Sequence, residues 1–153
     1  AGWQSLPGLG ELAPLLACDP QLFAPLETLI RQLSTDDTFG PQVALLTART
    51  NGSPTCFDAW LPHWQGEEEF ASHLREGGQA LHHWLQQHPQ ARSLVTAVQL
   101  LTRSPDRFSA AQLTPLAEYR LSEQQAIDLL IWSGLCGWMN RLKIALGNVR
   151  QQT

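Results

Sequence analysis

The chain has 153 residues, 43% of them hydrophobic and 16% charged, proportions of a folded protein with room for its own core rather than of a disordered one. Its net charge of −4, with ten Lys and Arg scattered along the chain, argues against nucleic acid as a partner, and no apolar run approaches the roughly 20 residues that cross a bilayer. The start, Ala1-Gly2-Trp3-Gln4, has neither the basic segment nor the apolar run of a signal peptide, and it lacks a Met, as a chain trimmed or begun inside a longer one would. Cys18, Cys56 and Cys136 are odd in number and far apart, without metal-ligand spacing. That usage fits a reducing cytoplasm, with no metal and no cofactor expected, and with Cys18 and Cys136 as buried small hydrophobes.

In chain order the punctuation marks helices. Asp19-Pro20 opens a segment in which Leu22, Phe23, Leu26, Leu29, Ile30 and Leu33 repeat at the helical period. The polar stretch from Ser34 to Gly40 reads as a loop. Pro41 starts a short helix through Val43, Leu45, Leu46 and Ala48, stopped by Asn51-Gly52. Ser53 and Pro54 then form a helix entrance: the serine hydroxyl accepts from an orphan backbone N–H, and the proline lacks only an N–H that would be unpaired anyway. This helix carries Cys56, Asp58 and Trp60 and ends near Pro62.

Glu67-Glu68-Glu69 places acids at the positive end of the next helix dipole, and Gly77-Gly78 interrupts that helix. Gln79 to Gln87 resumes with Leu81, Trp84 and Leu85, and a further apolar stripe runs through Leu94, Val95, Val98 and Leu101 after His88-Pro89. Ser109-Ala110-Ala111-Gln112 and Ser122-Glu123-Gln124-Gln125 match the reciprocal capping box. The last helix holds Ile127, Leu130, Ile131, Leu135, Trp138, Leu142 and Leu146, with Gly147 as its expected stop. Strand signals are weak throughout. The reading is a single all-α domain, a bundle of roughly six to eight helices.

Two ordered segments resemble a known family. The run Leu45-Leu46-Thr47-Ala48-Arg49-Thr50-Asn51-Gly52-Ser53-Pro54-Thr55-Cys56 looks like the catalytic helix–turn–helix of the AhpD-like proteins of the carboxymuconolactone decarboxylase superfamily. The stretch from Ala91 to Gly147, including Leu121-Ser122-Glu123-Gln124-Gln125 and Trp138-Met139-Asn140-Arg141-Leu142, is similar to its peroxidase-related branch. The resemblance spans roughly positions 20 to 148. It implies an AhpD-like helical bundle, assembly into homo-oligomers, and alkylhydroperoxidase or disulfide-reductase chemistry at a CxxC with a histidine four residues on and a glutamate on the preceding helix.

Carried over position by position, only Cys56 matches, as the second and reactive cysteine. Ser53 stands for the first cysteine and Trp60 for the histidine, while Pro41 or Gln42 falls where the glutamate would be. A CxxC works because its second thiol resolves the oxidised first one, and Ser53 cannot do that. The leading expectation is therefore an AhpD-like, peroxidase-related protein with a degenerate CxxC, non-catalytic and acting by binding or as a structural member. The alternative is an antioxidant one-cysteine thiol peroxidase using Cys56 with Ser53 beside it. Decarboxylase or lactone chemistry lacks a base. Trp60, His63, Gln42, Asn140 and Arg141 are the candidate site-lining residues, for a small apolar or peroxide ligand. His63 lies two turns beyond Cys56, and Asn140-Arg141 are polar in an apolar helix. Trp60, Trp64, Trp84, Trp132 and Trp138 are candidates for a pocket lining, a core or a subunit interface. His82, His83 and His88 lie with polar neighbours on what reads as a solvated face, and Asp58 reads as a helper of its own helix start.

Overall fold

The computed structural model describes residues 14, 16, 18–34, 39–114, 116 and 120–151. Among them every regular element is helical and none is a strand, so the all-α architecture expected from the periodicity is what forms. The helices are α1 (Pro20–Ser34), α2 (Gly40–Thr50), α3 (Pro54–Trp60), α4 (Glu68–Glu76), α5 (Gly78–Gln86), α6 (Pro89–Arg103) and α7 (Glu123–Gln151). Short 3₁₀ turns lie at Leu61–His63 and Pro105–Arg107, and a single helical turn at Ala110–Leu113.

Helix α2 is the axis of the bundle. Val43 through Ala48 are buried without a break, the pattern of a helix surrounded on all sides. It packs against α1, α3, α4, α6 and, most extensively, α7. At its start the Gly40 carbonyl accepts a 2.8 Å hydrogen bond from the indole of the buried Trp132 on α7. A side chain at Gly40 would run into the Ser34 carbonyl, so glycine lets the ends of α1 and α2 approach.

The local signals act as their chemistry requires. Asp19 Oδ1 accepts from the Leu22 amide at 3.3 Å, opening α1. At Ser122 both halves of the capping box form: its hydroxyl accepts from the Gln125 amide at 3.1 Å, and the Gln125 side chain accepts from the Ser122 amide at 2.9 Å. Around Ser109 one half forms, with the Ala111 amide donating to its hydroxyl, while the Gln112 side chain lies outside the described residues. Within the expected loop from Ser34 to Gly40, positions 35–38 also lie outside them, and the next helix begins at Gly40 itself.

Two expectations are corrected. Helix α7 does not stop at Gly147 but continues to Gln151. Cys18 is exposed, its thiol donating to the Pro14 carbonyl at 3.5 Å, whereas Cys56 and Cys136 are buried.

Candidate functional site

Ser53 caps α3, its hydroxyl accepting from the Cys56 amide at 3.4 Å. The Ser53 hydroxyl is thus used on the backbone, and the residue is itself 2% exposed. Cys56 is 1% exposed. One turn on, Trp60 packs edge-to-face on Trp132 with ring centroids 5.5 Å apart, inside the core. His63 does not share a helical face with Cys56. After Trp60 the chain tightens into the 3₁₀ turn that contains Pro62, and His63 emerges exposed against the edge of Trp60, 5.7 Å between centroids.

A buried hydroxyl and a second buried thiol share the core with Cys56. Thr47 on α2, fully buried, donates its hydroxyl to the Val43 and Ala44 carbonyls at 3.0 and 3.1 Å. Cys136 on α7 is buried in the same core. Burial pushes the Cys136 thiol well up; the Thr47 hydroxyl opposes this and Cys56 adds to it. A buried thiol kept protonated is a poor nucleophile. Among the described residues no group of three His, Cys, Asp or Glu side chains could hold a metal ion.

Gln42 is half-buried and turned away from this cluster. It lines a groove of about 690 Å³ with Trp64, Glu67, Phe70, Trp84 and His88. The groove is built by ring stacking: His88 lies on Trp84 at 3.9 Å and 13°, Phe70 tilts between Trp84 (5.6 Å) and Trp64 (5.2 Å). Backbone carbonyls fix its walls. The Trp64 indole donates to Glu67 O at 2.9 Å, and His88 Nδ1 lies 2.7 Å from Trp84 O. The indole nitrogen of Trp84 is buried and has no hydrogen-bond partner. Rim polarity comes from Glu67, Gln87 and Gln90.

The remaining candidates separate. Asn140 is 2% exposed, its amide nitrogen unpartnered, whereas Arg141 is exposed at the edge of a pocket of about 240 Å³ with Ser133 and Gly137. Asp58 pairs with Arg75 at 2.7 Å, an exposed contact whose guanidinium also covers Phe57 at 5.1 Å. His82 and His83 are exposed and meet Gln86 and Gln87, as a solvated face does, but His88 belongs to the groove. The tryptophans among the described residues divide three ways: Trp60 and Trp132 in the core, Trp64 and Trp84 in the groove, Trp138 on the surface. The groove joins residues up to 49 positions apart, Gln42 to Ala91, so of its lining only Gln42 and the tryptophans were singled out in the sequence. Comparison with protein-family models, curated proteins and solved structures finds no match to this chain.

Proposed function

We propose that the chain is an AhpD-like helical protein whose thiol centre is degenerate, and that it acts by binding a small, largely apolar ligand rather than by thiol turnover. The observation that carries this reading is the aromatic groove of Gln42, Trp64, Phe70, Trp84 and His88, since a stacked apolar wall with a few polar rim groups is the ordinary make-up of a ligand pocket. The surroundings of Cys56 support it from the other side. The sulfur is 1% exposed, Ser53 serves the backbone, Trp60 serves the core and His63 faces solvent, so the parts of a thiol relay are assigned to packing. The same reading takes the protein to be a homo-oligomer, joined through the exposed Ile127, Ile131 and Trp138 of α7.

The test has two arms. Titration with the apolar dye anilinonaphthalene sulfonate should saturate at one site per chain, and Ala91→Trp, which fills the groove without removing one of its rings, should abolish that binding. In the native protein iodoacetamide should modify Cys18 readily and Cys56 far more slowly, with no sustained consumption of hydrogen peroxide in the presence of added thiol. Rapid alkylation of Cys56 together with peroxide turnover lost in Cys56→Ser would replace this reading by the one-cysteine peroxidase.

A further inference from the structure

The aromatic groove is electrically one-sided. Among the described residues that line it, Glu67 supplies a carboxylate and none is Lys or Arg. The pocket of about 390 Å³ beside α3 has the opposite character, with Arg49 and Arg75 against the single Asp58. In the groove, the electropositive N–H edges of two rings are already bonded to backbone. The Trp64 indole donates to Glu67 O at 2.9 Å, and His88 Nδ1 lies 2.7 Å from Trp84 O. A carbonyl oxygen only accepts, so Nδ1 carries the hydrogen of the neutral imidazole and Nε2 keeps a lone pair. That Nε2 lies 3.9 Å from Glu67 Oε2, two electron-rich atoms with no hydrogen between them. The Trp84 N–H is enclosed and offers a ligand no donor. Ring faces carry the negative lobe of the aromatic quadrupole, and Trp64, only half-buried, is the most open of the three large rings.

We infer that the ligand of this groove is a small organic cation, an alkylated ammonium joined to an apolar body, with its charge beside Glu67 and the Trp64 ring. This rests on the ligand-binding reading above and adds the sign of the ligand. A carboxylate or phosphate would meet Glu67 with no Lys or Arg to answer it. A bare metal or ammonium ion holds its water too strongly to gain from an apolar wall. An alkylated ammonium is weakly hydrated, so it sheds water onto the rings and keeps its attraction to the carboxylate. The Glu67 side chain is 67% exposed, so its share is a few-fold in affinity and the ring surface carries the rest.

The experiment measures Kd by calorimetry at pH 8 with three probes of similar size: benzyltrimethylammonium, the uncharged benzyldimethylcarbinol and the anion hydrocinnamate. Heat that disappears in Ala91→Trp assigns binding to the groove. The cation should bind about tenfold tighter than the alcohol, and hydrocinnamate weakest. Glu67→Gln should cut the preference for cation over alcohol about threefold, while tightening the sulfonate-bearing dye. Trp64→Leu should cut the same preference by a similar factor. A variant that merely loosened the fold would weaken cation and alcohol together and leave their ratio unchanged. Cation and alcohol bound equally well, or a ratio untouched by both substitutions, would overturn the inference while dye binding stood, leaving an apolar groove with no preference for charge. Failure of the dye as well as the three probes to bind there would remove the ligand-binding reading with it.

Discussion

Cys136 keeps its proton because ionisation would leave a charge in the buried core, where Cys56 adds to the cost and only the Thr47 hydroxyl opposes it. In the unfolded chain the same thiol ionises near the ordinary value of about 8.5. Above that pH the unfolded state binds fewer protons than the folded one. Stability must therefore fall as pH rises from about 8.5 toward the raised folded value, by at most about 1.4 kcal/mol per pH unit. Cys136→Ala should be less stable than the parent at pH 7.5, by about 1–2 kcal/mol for the lost packing, and this gap should narrow or reverse by pH 9.5. Urea unfolding of both proteins at several pH values reads it. A gap independent of pH would mean that the thiol titrates as it does in water. Nothing in the sequence around Cys136 announces this role. Thr47 and Cys56, the two residues that act on it, are 89 and 80 positions away.

At the scale of elements, local chemistry was legible wherever a side chain serves its own backbone. Ser53 and Ser122 cap their helices, and the break at Gly77-Gly78 is real, because each effect involves residues within one turn of each other. Legibility failed where packing across the bundle decides. Gly147 costs its helix something, yet the helix runs through it. His63 could share a face with Cys56 only on a continuous helix, and a single 3₁₀ turn redirected it. Gly77 is the sharper case, since its φ of 69° and ψ of −158° fall where essentially only glycine is found, and an added β-carbon would lie 2.6 Å from Arg49 Nη2. That guanidinium donates to the Leu74 carbonyl through Nε at 3.1 Å, tying α2 to the end of α4. Gly77→Ala should then cost about 2–3 kcal/mol, read as a Tm lower by several degrees, while Gly78→Ala, with open space around it, should cost less despite its own positive φ. Equal losses at the two positions would mean that backbone strain alone matters and the Arg49 contact does not.

For the whole molecule, the outer face of α7 poses the last question. No helix among the described residues is long and apolar enough to cross a membrane, yet Ile127, Ile131 and Trp138 stand 49%, 42% and 38% exposed. Their offsets of four and seven residues put them in one stripe, and Gly134 between them offers no side chain to hold a neighbour away. Scattered exposed apolar residues are ordinary, but aligned ones on the helix that also anchors the core are costly to leave in water. A second copy laid across the same stripe would cover both at once, with Trp138 as the central anchor. Sedimentation at tens of micromolar should accordingly give a mass above the 17.0 kDa of one chain, and Ile131→Glu should return it to the monomer with its helical circular dichroism intact. A parent protein that stays at one chain mass at every concentration would assign the stripe to something other than self-association.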